Sequence, residues 1–506
     1  SQLPMHNNNA MMTSISTLLL LLLSTTFLQK AHASDSSLVH RSPSSRSDAR
    51  RRRRLADTPI DLDNLVGPAF PDYAQGNNCA NNEDVMTVNF GYYQSWATYR
   101  DEGCNPFAPG DIDPFAYTHL AYSFAWINDK FELEAYDAKF EEEERLYREF
   151  VGLKKINPDL KTLITVGGWT FSNPGPSERL FSDMCDTPEN RAIFVASTVA
   201  FCQKYGFDGL DLDWEFPGDY GRGGKPEDKP NYAQLVFDLK AAFDAAPEHL
   251  ELSMAVPISR HLLDPGYDLP ALAEGLDFMN LMTYNIHGNW NDVVGSHTDL
   301  PDIFDFLQHF LDEGVPPNKM LLGFAPYART YTMTDPDCLT YGCPFIRSGP
   351  GGCQDTGGFM TYFSIDERVQ SGDYDSITPY NPSTASAEMV FDDVILVDYD
   401  SPQSFDVKAK FAKDACFRGV MWWAVDMLKE PLVSQIEFNP LPPTPNNPLP
   451  PDVLNPSTPV DPTDAPVVPA TEAPVAPATD APVVPVTDAP VLAATDAPAV
   501  PATEAP

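Results

Sequence analysis

Between residues 205 and 218, apolar and acidic positions alternate with the period of a β-strand: Gly209, Asp211, Asp213 and Glu215 share one face, and Leu210, Leu212 and Trp214 the other. Phe216-Pro217-Gly218 then stops the run and leaves Glu215 at its C-terminal tip. A solvated edge strand could carry three acids, but would rarely back them with Leu, Leu and Trp. The pattern points to a charge row aimed into a cleft. Repulsion and lost hydration there raise the pKa of at least one acid.

Seven further apolar, β-rich runs, at residues 85–93, 118–127, 162–169, 252–257, 278–284, 320–327 and 419–425, accompany the acidic one. Helical spacing intervenes at 141–154, 191–205, 232–246 and 303–313. Eight mostly apolar strands separated by helices predict an α/β fold, a closed parallel (β/α)8 TIM barrel. The gap between the seventh and eighth strands is too long for one helix. About residues 332–400, with Cys338, Cys343 and Cys353, are therefore expected to form an inserted subdomain.

In such a barrel the C-terminal strand ends carry the active site. These ends hold Tyr92 and Trp96, Phe124 and Trp126, Gly167-Gly168-Trp169, Glu215, Met282 and Tyr284, Tyr327 and Arg329, and Trp422-Trp423. Any one of these aromatics alone could be core. Five of the seven tryptophans at strand ends point instead to flat faces for sugar rings, with Tyr and Arg to hold sugar oxygens.

The flanks differ in kind. Residues 15–28 are largely apolar and lead to Ala31-His32-Ala33, so residues 1–33 read as a secretory signal, starting at Met5 or Met11. No later run is long enough to cross a bilayer, so a secreted, extracellular or wall-associated product is expected. Residues 34–78 are polar and contain five consecutive arginines, at 50–54, which suit either a solvated linker or a processed pro-segment. The catalytic region is expected over 79–438. Beyond it, residues 439–506 are Pro-rich, and Thr-Asp/Glu-Ala-Pro recurs with period eight from Thr463 to Thr503. Such a tail cannot bury a core and reads as an extended stalk, O-glycosylated or bare.

Lys+Arg 33 against Asp+Glu 72 gives a net charge of −39, which disfavours nucleic acids and anionic membranes as partners and suits a neutral polymer. Eight cysteines, all beyond the signal, are expected disulfide partners with the pairing left open. The nine histidines show no ligand-like spacing, so neither metal nor cofactor is implied. A monomer is expected.

Retaining glycosidases commonly place an acid and a nucleophilic carboxylate ~5–5.5 Å apart across the sugar. Asp213 lies behind Glu215 on the same face, badly placed as a nucleophile and well placed to share its proton. A substrate that brings its own nucleophile, such as a 2-acetamido carbonyl, would complete the chemistry.

Asp208-Gly209-Leu210-Asp211-Leu212-Asp213-Trp214-Glu215 resembles the D-G-x-D-x-D-x-E signature of family 18 glycoside hydrolases, the chitinases. Residues 165–169 are similar to the family's S-x-G-G-W strand, with Thr for Ser. Met282-Thr283-Tyr284-Asn285 resembles M-x-Y-D, and Tyr327-Ala328-Arg329 and Met421-Trp422-Trp423-Ala424 resemble strands seven and eight. The long insertion looks like the family's α+β subdomain. The resemblance implies that Glu215 protonates the leaving oxygen and that Asp213 turns between Asp211 and Glu215 to hold the acetamido N–H. Tyr284 would bond the attacking carbonyl. Trp423 would floor the reacting sugar, with Tyr92, Phe124, Gly168, Met282, Asn285, Tyr327, Arg329 and Met421 around it, and Trp96, Trp169 and Trp290 would stack sugars further along. The implied ligand is chitin or chito-oligosaccharide, hydrolysed with retention. Asn285 departs from the family's Asp, removing a negative charge near Glu215; less elevation of the Glu215 pKa is expected. A non-catalytic lectin of the same fold, an endo-β-N-acetylglucosaminidase acting on N-glycans and a wall-associated stalked protein are the alternatives.

Overall fold

The computed structural model describes residues 84–136, 140–352 and 357–429, with isolated positions from 431 to 453. The signal-like segment, the arginine run, the Thr/Pro repeats, Cys79 and Cys353 lie outside the described residues.

Eight parallel strands close into a barrel: β1 (Val88–Gln94), β2 (His119–Ile127), β4 (Lys161–Gly167), β5 (Gly209–Asp213), β6 (Glu251–Pro257), β7 (Phe278–Met282), β8 (Met320–Phe324) and β15 (Gly419–Trp422). β1 pairs with both β15 and β2, which closes the ring. A short antiparallel strand, β3 (Leu133–Ala135), adds to β2. The connecting helices are α1 (Phe140–Val151), α2 (Leu180–Cys185), α3 (Pro188–Tyr205), α4 (Asp228–Ala245), α5 (Arg260–Gly266), α6 (Leu269–Gly275) and α7 (Leu300–Asp312). No α-helix joins β1 to β2; three short 3-10 turns do so.

Caps explain where the helices begin. Thr187 accepts from the Asn190 N–H ahead of Pro188, and Gly206 ends α3 in the left-handed region at φ 80°. Asp299 caps α7 in the same way ahead of Pro301. Apolar periodicity alone starts α3 and α7 one turn late, because their first turns are polar or Pro-containing.

The second sheet is antiparallel, in the order β10-β9-β14-β13-β12, with β11 also paired to β9. Its strands are β9 (Tyr327–Met333), β10 (Phe345–Ser348), β11 (Phe359–Thr361), β12 (Ser376–Asn381), β13 (Ser386–Phe391) and β14 (Ile395–Tyr399), with α8 (Tyr362–Ser371) between β11 and β12. α9 (Pro402–Asp414) leads back to β15. The expected insertion is therefore present but begins earlier. The run 320–327 is interrupted after Phe324, and Tyr327 and Arg329 belong to β9 of the second sheet. Pro326, lacking an N–H, marks the break.

A large apolar layer between the barrel and its helices includes Leu210, Leu212 and Trp214; a smaller one inside the barrel includes Phe90, Tyr92, Leu163, Phe278 and Met421. Trp214 stacks on Phe181 at 5.1 Å and meets Tyr232 edge-on at 5.1 Å. Cys338 and Cys343 form a disulfide, and Cys104 and Cys416 each take part in a separate disulfide. Cys185 and Cys202 correct the expectation that every cysteine pairs: both are free thiols buried among apolar side chains on α2 and α3, where cysteine packs as a small hydrophobe.

Candidate active site at the barrel rim

The alternation along β5 turns Leu210, Leu212 and Trp214 outward to the helices and the acids inward. Asp211 is fully buried. Its Oδ1 accepts from Ser253 Oγ at 2.6 Å and Asn280 Nδ2 at 3.0 Å, and its Oδ2 from the Tyr92 hydroxyl at 2.8 Å. Burial nevertheless pushes its pKa up to about 6. Asp213 is buried too, and its Oδ1 has no hydrogen-bond partner. Burial first, then the charges of Glu215 and Asp211, hold it well above the ordinary carboxylate range. Glu215 lies one step beyond the strand, half-buried, with burial raising its pKa to about 7 against the opposing charge of Arg222. The acid pair titrates as a unit, so near neutral pH it retains a proton to donate.

Two glycines let this strand end come close to its neighbour. Gly167, at φ +111°, has no room for a side chain because a Cβ would lie 2.1 Å from the Asp213 carbonyl oxygen. Gly168, at φ +86°, donates its N–H to that same oxygen at 2.8 Å, and the Phe124 ring occupies the space its Cβ would take. Gly168 thus spaces the backbone and seats Phe124.

The aromatics form a continuous lining. Trp423 meets Tyr92 edge-on at 5.4 Å and Phe124 at 5.9 Å, and Trp96 stacks on Phe124 at 6.0 Å. Trp96, Trp169 and Trp290 are 42%, 57% and 58% exposed, which leaves their ring faces accessible to a ligand. Trp422 departs from the expected rim: it is fully buried, donating from Nε1 to Asn89 Oδ1 at 2.8 Å, because successive residues of β15 face opposite sides. Trp126 packs against Phe171 at 4.5 Å and Tyr136 at 5.2 Å. Met282 is half-buried at the rim, whereas Met421 is fully buried beneath it. The Tyr284 ring lies 6.0 Å from that of Tyr327, and burial, with neighbouring acids, keeps its phenol neutral and able to donate.

An acid pair inside an aromatic-lined barrel mouth suits cleavage of a sugar polymer, and the family profile of glycosyl hydrolases family 18 matches residues 88–427. The chain belongs to this family. Mouse (Mus musculus) chitotriosidase-1 is 34% identical over 355 residues, covering 66% of this chain and 72% of that one. The Ostrinia furnacalis Group IV chitinase, solved in complex with allosamidin, is 28% identical with a TM-score of 0.64, covering 69% of this chain and 97% of that one. Human YKL-39, described as a pseudo-chitinase with retained chitooligosaccharide binding, is 27% identical with a TM-score of 0.62, covering 69% and 98%.

The family 18 position held here by Asn285 is built differently from the sequence expectation. Asn285 sits in the left-handed region at φ 57°, which Asn tolerates. Its Oδ1 accepts from Arg329 Nε at 3.0 Å, Arg329 Nη2 at 2.7 Å and the Tyr327 hydroxyl at 3.1 Å. Arg329 also lies 5.5 Å from the Trp290 ring centroid. The departure from Asp therefore leaves the Arg329 charge without a carboxylate at this point.

Three polar residues were missed. Ser253 and Asn280 were legible as polar positions within otherwise apolar strands, at inward-facing alternations of β6 and β7. Arg222 carried no pattern signal; a single Arg in a Gly-rich run looks like a turn. Among the described residues, no group of three or more His, Cys, Asp or Glu could hold a metal ion, and no helix is long and apolar enough to cross a membrane.

Proposed function

We propose that this chain is a secreted chitinase that hydrolyses β-1,4 bonds between N-acetylglucosamine units with retention, the substrate's acetamido carbonyl acting as nucleophile. One observation carries this reading: Asp211, Asp213 and Glu215 come from one strand end, Asp213 keeps a buried oxygen with no hydrogen-bond partner, and burial raises the Glu215 pKa to about 7. Glu215 gives its proton to the glycosidic oxygen. Asp213, with an unsatisfied buried oxygen, takes the acetamido N–H and stabilises the positive charge that develops as the carbonyl attacks. Asp211, saturated by Tyr92, Ser253 and Asn280, keeps negative charge behind the pair. Tyr284 donates to the acetamido oxygen, and Trp423 supports the reacting ring. The proposed range of the catalytic region is 79–438, with an exported leader at 1–33, a linker or pro-segment at 34–78 and a stalk-like tail at 439–506. The product acts outside the cell as a monomer.

Colloidal chitin hydrolysis by the wild-type chain and Glu215→Gln tests the reading. The variant should bind chito-oligosaccharide normally and lose on the order of 10²–10⁴ in rate. Tight binding by an inactive wild type would instead support the lectin alternative, which the presence of Glu215 disfavours. Release of N-glycans without chitin turnover would support the endoglycosidase.

A further inference from the structure

The segment after Glu215 is tightly folded. Gly218, at φ +76°, lies against the Pro265 carbonyl, and Gly223, at φ +77°, against the Glu178 carbonyl; a Cβ at either would fall 2.6 Å or 2.3 Å from those oxygens. The Asp219 carboxylate turns the chain by accepting from the Gly221 N–H at 2.8 Å. Asp228, fully buried, holds the segment from below through Gly218 N at 3.1 Å and Lys225 N at 2.7 Å. This scaffold holds Arg222 at the end of the turn Tyr220–Arg222.

Arg222 combines three hydrogen bonds with contacts to the Trp169 and Phe216 rings. Nε donates to the Glu215 carbonyl oxygen, Nη2 to the Trp169 carbonyl oxygen, and Nη1 to Asn173 Oδ1 at 3.1 Å. Its guanidinium carbon lies 3.8 Å from the Trp169 ring centroid, stacked over one indole face. Trp169 remains 57% exposed, so the rest of the ring is open for a ligand. We propose that Arg222 is a positioning residue: it clamps Trp169 as a fixed sugar-stacking platform and ties that platform to the backbone of the acid Glu215, setting their spacing along the cleft. The role rests on the chitinase reading above.

The three hydrogen bonds go to neutral oxygens, so the charge of Arg222 is not consumed by a direct ion pair. It also acts on the acid. Facing Glu215 are Asp213 from its own strand, Tyr267 after α5, Tyr284 after β7 and Tyr327 on β9; the tyrosines are all held neutral by burial. Arg222 is the cation that lowers the Glu215 pKa.

Two variants separate plane from charge. Arg222→Lys keeps the charge and loses the fork; Arg222→Gln loses both. Each should raise KM for long chito-oligosaccharides about 3–30-fold, the range for a lost cation–π contact, with a smaller change in kcat. Removing the cation raises the Glu215 pKa, so the alkaline limb of kcat/KM should move to higher pH in Arg222→Gln and stay in place in Arg222→Lys. In a Trp169→Ala background the KM effect of Arg222→Lys should vanish, which a general loss of folding would not produce. Acrylamide quenching of Trp169 fluorescence, taken as the difference from Trp169→Phe, should rise in both variants without any substrate. Unchanged quenching together with unchanged KM overturns the clamp. A wild type that hydrolyses no chito-oligosaccharide overturns the chitinase reading instead, while the quenching arm still decides the clamp.

Discussion

At the N-terminal end of β5, Asp208 is fully buried, and its Oδ2 accepts from Lys154 Nζ at 2.7 Å, Thr162 N at 2.9 Å and Thr162 Oγ1 at 3.2 Å. At the C-terminal end, seven residues on, Glu215 faces a cation that bonds its backbone carbonyl, and Asp213 keeps a buried oxygen with no partner. The two ends use the same residue types and share one strand. They differ in satisfaction. A saturated acid has nothing left to offer a ligand and serves the fold, whereas an unsaturated one carries a destabilising desolvation that only a substrate relieves. The same division holds in (β/α)8 barrels generally, with stability at the bottom and chemistry at the top.

Lys154→Met would test this contrast most severely. It strands the Asp208 charge, and chemical denaturation should show a loss of about 3–5 kcal/mol, with kcat of the folded fraction unchanged. A loss of kcat without a loss of stability would reverse the assignment of the two ends. Asp213→Asn should do the opposite. Its folded pKa is raised, so the native state holds the proton more tightly than the unfolded chain, and the stability this confers is lost as pH rises toward the folded value. The variant lacks that loss, so its denaturation midpoint should match wild type in acid and exceed it as pH rises toward the folded pKa. A wider gap in acid would contradict the burial argument. The smallest effect belongs to Asn285→Asp. The new carboxylate would pair with the two Arg329 N–H groups that now reach Asn285, so most of its charge is cancelled before it is felt at Glu215. The alkaline limb should rise by about a few tenths of a pH unit, and a pH–rate profile with no shift would show that Arg329 cancels it completely.

The acidic strand was readable because a period of two along an apolar run reports both the strand and its two faces. The same periodicity misassigned Tyr327 and Arg329. Local pattern cannot tell a barrel strand from a strand of a second sheet when only two residues, one of them Pro326, separate them. Trp422 and Trp423 show a related limit: adjacent indoles read alike in sequence, and the pleat sends one to the core and the other to the cleft. The unpaired thiols Cys185 and Cys202 follow from which helix face meets the core, which a cysteine count does not contain.

From the order of residues alone came the barrel, the presence of an insertion before its last strand and the acid row on one strand face, because each is written in short-range periodicity and spacing. Tertiary structure decided which acids are satisfied, and it brought Arg222 onto Trp169 from more than fifty positions away. Hydrogen-bond saturation and ring stacking depend on distances in space between segments remote in the chain, and no local pattern encodes those distances.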